Sequence, residues 1–245
     1  MRLRALLFVL PLACAALYAT TPAAASNKYL EVPPASVVRA SPAYHYANLT
    51  NAQAYAALDR RGIPYELAQP PTNGVRAPIR LTGRLHGVWI HSSLPAAKRR
   101  ESPFEILDAR LALALDDFCR ILAHHDVVEV VHFSMYRPSA ELAPDAHGKR
   151  FRHAGGLAID MGALRKRNGE WLRVGPDWSS SIGAKTCGAG ARHLDNPKGR
   201  ELQSIVCEAA DARIFTYMLT PHFNKAHATH VHLEVKPGVK WFLVN

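Results

Sequence analysis

The chain has 245 residues, 48% of them hydrophobic, with 30 Lys and Arg against 20 Asp and Glu and a formal charge of +10. That hydrophobic share is ordinary for a domain that buries a core, and it excludes disorder as the main state. The one long apolar stretch, the fifteen residues from Ala5 to Ala19, contains Pro11 and is shorter than the ~20 residues of a membrane-spanning helix, so no integral membrane segment is expected.

In chain order, Met1-Arg2-Leu3-Arg4, the apolar run and Thr21-Pro22-Ala23-Ala24-Ala25-Ser26 supply the basic, apolar and small-residue regions of a secretory signal peptide, with cleavage after Ala25. Export to the periplasm, the cell envelope or the exterior is therefore expected. Residues 26–50 are rich in Pro, Ala and Ser without a period, and read as an extended tether that contributes no core. Residues 51–245 then form the domain. A helix runs over Asn51 to Arg60 and stops at Gly62, and a strand over Gly74 to Leu81 follows a Thr72-Asn73-Gly74 turn.

The strongest helix is expected to begin at Ser102-Pro103-Phe104-Glu105, where Ser caps, Pro suits the first turn and Glu completes a capping box. Phe104, Leu107, Leu111, Ala114, Phe118 and Ile121 or Leu122 continue it at helical spacing. Past His124-His125-Asp126, the β-branched run Val127 to Phe133 reads as a central strand. A second helix covers Asp195 or Pro197 to Ala210 with Leu202, Ile205, Val206 and Ala209 inward, and strands follow near Ile214 to Leu219 and Thr229 to Val235. Strands interspersed with helices, without regular βαβ alternation, predict an α+β fold with a mostly antiparallel central sheet flanked by helices.

For an exported protein, the positive excess favours an anionic cell wall, acidic polysaccharide or lipid headgroups over nucleic acid, and it serves simple solubility equally well. Removing Cys14 with the leader leaves Cys119, Cys187 and Cys207, so one pair and one leftover are expected. A Cys187–Cys207 bridge would pin a Gly-rich loop to the second helix, while Cys119 sits among apolar residues as a small buried hydrophobe.

Thirteen histidines are unevenly spent, and His222, His227, His230 and His232 fall within eleven residues. As a strand, His227 to Val235 places His230, His232 and Glu234 on one face and Val231, Leu233 and Val235 on the other. Two neutral imidazoles side by side are costly to bury without a partner, and a divalent metal uses both their geometry and their lone pairs. In His153-Ala154-Gly155-Gly156-Leu157-Ala158-Ile159-Asp160, the Gly pair permits a sharp turn that brings His153 beside Asp160. Catalytic zinc takes three protein ligands and leaves a fourth position to water, so His153, Asp160 and one of the two strand histidines complete an open site. His-Glu-x-x-His, Gly-x-Ser-x-Gly, Ser-x-x-Lys and Walker-type motifs are absent from the chain, which removes the chemistries they serve.

These residues resemble the bacterial extensin-like C-terminal domain family, within the lysostaphin, D-alanyl-D-alanine metallopeptidase and Hedgehog-type fold. The likeness rests on Tyr136-Arg137-Pro138, on His153-x6-Asp160, and on Leu219 to Leu233 with its His227-x-x-His230-x-His232 spacing. The chain departs from the family pattern at Phe151, where Ser is usual, and at Glu234, where Asp is usual. The resemblance implies a monomeric, Hedgehog/DD-peptidase-like zinc (Zn2+) peptidase acting on peptidoglycan stem peptides or cross-links. In it His153, Asp160 and His232 are the zinc ligands, His230 is the catalytic base, and Arg137, assisted by His227, stabilises the oxyanion. A catalytically silent zinc-containing module that binds peptidoglycan or a partner is the alternative of a different class.

Overall fold

The computed structural model describes residues 29–69, 72–138 and 152–245, so the signal-peptide reading of residues 1–25 and the departure at Phe151 lie outside it. The described chain begins with a two-residue strand, β1 (Leu30–Glu31), and two short helices, α1 (Ala35–Ala40) and α2 (Pro42–Ala47). Over residues 29–50 this corrects the extended tether expected for 26–50. Ser41 caps α2 by accepting from the Tyr44 N–H, and Val38, Ala43, Tyr46 and Ala47 are buried. Composition concealed the core contribution because these side chains pack against distant partners, Val38 and Ala43 on Phe242 among them.

The helix α3 (Asn51–Arg61) runs as expected from a Thr50–Gln53 capping box to Gly62. Strands β2 (Tyr65–Leu67) and β3 (Pro78–Leu81) follow, then β4 (Trp89–Ser92) and the short helix α4 (Ala96–Arg99). The main helix does not begin at Ser102. Ser102 caps only a 3-10 turn, Pro103–Glu105, and Glu105 accepts from the Ser92 N–H rather than closing a capping box. A strand, β5 (Ile106–Asp108), intervenes, and Asp108 caps α5 (Ala109–His124) by accepting from the Arg110 N–H. Two start signals six residues apart look like one helix when the strand between them has only three residues. From Leu111 onward the expected inward positions hold: Leu111, Ala114, Phe118 and Leu122 are buried, each large one worth about 1.5–3 kcal/mol of burial.

Strands β6 (Val127–His132), β7 (Ala158–Lys166) and β8 (Trp171–Arg173) come next, then α6 (Val174–Asp177) and α7 (Pro197–Asp211). The chain closes with β9 (Tyr217–Leu219), β10 (Val231–Glu234) and β11 (Phe242–Val244). The main sheet has the order β1-β11-β9-β10-β7-β6-β4, with β8 also on β7, while β2, β3 and β5 form a smaller sheet. Among the described residues every pairing is antiparallel except β4–β6 and β9–β11, so the fold is α+β with a mostly antiparallel sheet and helices. Its core joins Ile159, Met161, Leu164, Val231 and Leu233 of the sheet to Phe118 and Leu122 of α5 and Leu202, Ile205 and Val206 of α7. Cys187 and Cys207 are bridged, which ties the loop at Thr186 to α7, and Cys119 is free and buried.

A buried polar clamp joins the end of β5 to α3 and to the turn before β7. The fully buried Arg110 pairs with Asp108 at 2.8 Å and donates to the Leu49 carbonyl at 2.9 and 2.8 Å and to Asn51 at 2.7 Å. Asp108 also accepts from the Ala77 N–H at 2.9 Å, and its own N–H donates to the Gly156 carbonyl at 2.8 Å. Gly156 has φ 64°, and a Cβ there would lie 2.9 Å from the Asp108 nitrogen. Gly156→Ala is expected to cost about 1–3 kcal/mol through strain and overpacking, a shift in the urea midpoint larger than that of Gly169→Ala, where φ is 89° but nothing lies within 4 Å.

Candidate metal centre

Period-two alternation builds the centre. On β7, Ile159 and Met161 enter the core and Asp160 therefore points the other way; on β10, Val231 and Leu233 do the same and turn out His232. Antiparallel pairing sets His232 directly opposite Asp160. His153 arrives from the 3-10 turn Arg152–Gly155 ahead of β7, where its carbonyl accepts from Gly156 N–H at 3.2 Å and from Arg137 N–H at 3.1 Å. The expected sharp turn at Gly155-Gly156 is present, and it carries His153 back to Asp160.

Three histidine nitrogens surround one carboxylate oxygen. Asp160 Oδ1 lies 3.1 Å from His153 Nε2, 3.0 Å from His232 Nδ1 and 3.4 Å from His230 Nε2. His153, Asp160 and His232 are buried and offer ligand atoms all within 4.8 Å of one another. The protons can be placed by chemistry. A backbone carbonyl only accepts, so His153 Nδ1, 2.9 Å from the Met135 carbonyl, carries the hydrogen and leaves Nε2 a lone pair facing Oδ1. His232 Nε2 faces the Glu234 carboxylate at 3.4 Å, so it carries the hydrogen and Nδ1 presents a lone pair to the same oxygen. Three lone pairs in one space repel unless a cation lies among them. The spacings of 3.0 and 3.1 Å are close to the ~3.3 Å edge of a tetrahedron with metal bonds of ~2.0–2.1 Å. The donor set therefore fits a divalent metal.

The titration shifts tell the same story for a proton in place of a metal. Burial pushes the Asp160 carboxyl up, but hydrogen bonds from His153 and His232 and their charges outweigh it and hold the group far below the usual carboxylate range. Burial pushes His232 down, and the bonds to Asp160 and Glu234 more than reverse this. A metal ion would take the His232 Nδ1 lone pair that this proton occupies, so its binding would release the proton. His230 moves the other way, because burial outweighs the pull of Asp160. His227 falls to about 4 through burial, with the charges of His230 and His232 adding to it.

A pocket of about 250 Å³ opens on the cluster, lined also by Arg137, Arg152, His227 and His230. Arg137 donates from Nη2 to Asp160 Oδ2 and from Nε to Ser134 Oγ at 2.7 Å, so it holds the carboxylate that it also flanks. The His227 ring stands 5.2 Å from that of His230, and its Nδ1 is 2.8 Å from Asn224 Oδ1. Because the His227 backbone N–H donates to the same Oδ1, that atom is an acceptor; Nδ1 then carries the hydrogen and Nε2 is an acceptor.

All six residues singled out from sequence thus meet at one pocket. Two contributors were missed there. Glu234 is fully buried and orients His232, and its place on the imidazole face was the signal that could have found it. Arg152, whose Nε is 3.7 Å from Glu234 Oε2, gave no signal beyond adjacency to His153.

A buried His–Asp–His cluster set between two antiparallel strands, under a pocket that a further histidine, His230, also lines, defines the chain as an α+β protein with a metal-competent centre. A family model described as extensin-like protein C-terminus matches residues 69–242, and the chain belongs to that family. No curated protein and no solved structure matches it.

Removing the Glu234 carboxylate leaves His232 without the partner that sets its tautomer. Glu234→Ala is expected to weaken divalent-metal binding about 10–100-fold, with Glu234→Gln between it and the parent, as read by competition with a chromophoric chelator.

Proposed function

We propose that the protein is an exported, zinc-dependent amide hydrolase acting on the stem peptides or cross-links of peptidoglycan. The observation that carries this reading is the convergence of lone pairs from His153, Asp160 and His232, with the His230 imidazole beside them in an open pocket. Nitrogen and oxygen donors in a set of three match catalytic zinc rather than the oxygen-rich shells of calcium or magnesium. The family likeness, the signal-like leader and the positive charge support a cell-wall substrate.

Zinc, when bound, supplies Lewis-acid chemistry: it polarises a carbonyl and lowers the pKa of water from 15.7 to ~7. His153, Asp160 and His232 would hold it. His230 Nε2 takes the proton of the attacking water and returns it to the leaving amine nitrogen, a contribution of about 10²–10⁴-fold. Arg137 offers its guanidinium to the developing oxyanion from the pocket wall, and it steadies Asp160 with the same group. For His227 the hydrogen bond to Asn224 changes the role implied by the family likeness. Its Nε2 is an acceptor, so it orients a substrate N–H or the attacking water and does not donate to the oxyanion.

One observation favours the silent binding module: His230 Nε2 is only 3.4 Å from Asp160 Oδ1, near enough to close the site as a fourth ligand. A four-ligand site is structural. The variants decide. Under the hydrolase reading His230→Ala keeps one zinc per chain and loses turnover about 10²–10⁴-fold, while His232→Ala loses both; loss of zinc from His230→Ala supports the closed site instead. Zinc-loaded protein is incubated with purified peptidoglycan, with and without chelator, and released peptides are identified by mass. Chelator-sensitive release is expected, and an unchanged digest overturns the reading.

A further inference from the structure

The sheet face that carries Asp160 continues away from the pocket across four strands. Cross-strand register aligns Trp89 with Glu129, Glu129 with Arg165, and Arg165 with Trp171, so these four side chains form one row on the same face. The contacts agree with the register. Arg165 Nε donates to Glu129 at 2.6 Å, and His91 Nε2, one rung nearer the pocket, meets the same carboxylate at 2.9 Å. The next rung aligns His91, Val131, Ala163 and Arg173. Beyond it stands Phe133, 40% exposed, whose ring lies over Gly162, where a Cβ would come within 2.9 Å, and 5.8 Å from the His230 ring. The row spans about 14 Å across the strands and lies about 13 Å from Phe133 along them.

This face is aromatic and cationic. Guanidiniums stack on both indoles, Arg84 at 5.4 Å over Trp89 and Arg173 at 5.2 Å over Trp171. Trp89 is 40% exposed, an unusual position for a large ring on a strand. The one carboxylate in the row, Glu129, is already matched by Arg165 and His91. Arg173 is exposed, and its guanidinium has no hydrogen-bonding or ionic partner among the described residues. A cation held in place by stacking and left unpaired is available to an external anion with little ordering still to be done.

We propose that this face is the docking surface for the peptidoglycan polymer outside the pocket, with stem-peptide carboxylates on Arg173 and Arg84 and sugar rings against Trp89 and Phe133. It rests on the reading that peptidoglycan is the substrate. Charge complementarity selects an acidic polymer, and unbroken continuity with the pocket through Phe133 selects the polymer whose peptides enter there. The row then holds the strand while one peptide reaches His230.

The test is cosedimentation of the metal-free, chelator-treated full chain with purified peptidoglycan sacculi, so that binding is read without turnover. Trp89→Ala combined with Arg173→Glu is expected to weaken binding at least about tenfold, with circular dichroism and zinc affinity unchanged. Sacculi whose carboxyl groups have been converted to amides are expected to hold the parent protein as weakly. Arg173→Lys, which keeps the charge, is expected to retain most of the binding. Parental sedimentation by the double variant overturns the proposal, as does indifference to amidation, or a self-association that the double variant abolishes. A chain that docks in this way but releases no peptide overturns the hydrolase reading alone.

Discussion

A single carboxylate oxygen organises this molecule. Asp160 Oδ1 is approached by three imidazole nitrogens at 3.0 to 3.4 Å, and its partner Oδ2 is held by Arg137. Burying such a group is tolerable only with positive charge against it, from Arg137 on Oδ2 and from a cation or proton among the nitrogens around Oδ1. The backbone makes the arrangement rigid. The Asp160 N–H donates to the Ser134 carbonyl and its carbonyl accepts from the Phe133 N–H, so the acid is fixed from both sides in the middle of the sheet. The hydrophobic alternation of β7 and β10 is what aims it: the residues that fill the core compel their neighbours to face the pocket.

The supporting atoms divide by type. His153 is oriented by a neutral acceptor, the Met135 carbonyl, whereas His232 is oriented by a buried carboxylate. A carboxylate behind an imidazole raises its basicity, and a carbonyl does so less. The two imidazoles therefore differ as donors although they share a residue type, and Glu234 with Arg152 beside it makes the His232 side the more polarised of the two.

The site was more legible in the sequence than the fold. His153, Asp160, His230 and His232 stand in short spacings whose meaning depends on local geometry, a glycine turn and a strand period, and local geometry is what a sequence displays. Arg137 was legible by likeness alone. The parts not read were those decided by distant contacts. The α1–α2 segment owes its order to partners such as Phe242 nearly two hundred positions on, and β5 is a three-residue strand whose pairing with β3 no local pattern announces. The same holds for Glu105, which suits a capping box by spacing but is claimed by the Ser92 N–H across the fold. The role of Glu234 required knowing which nitrogen of His232 faced it.

The Arg110 clamp gives the leading helices a weight that their composition hides. Its guanidinium is satisfied by a carbonyl and an amide that lie about sixty positions earlier in the chain, while its partner Asp108 grips the loop that delivers His153. Trimming the protein ahead of Asn51 would remove the Leu49 carbonyl, which takes two of the buried guanidinium's hydrogen bonds, close to the turn that carries His153. What resembles a leash is thus a keystone, and any shortened version meant to keep the metal-competent centre intact has to begin upstream of it.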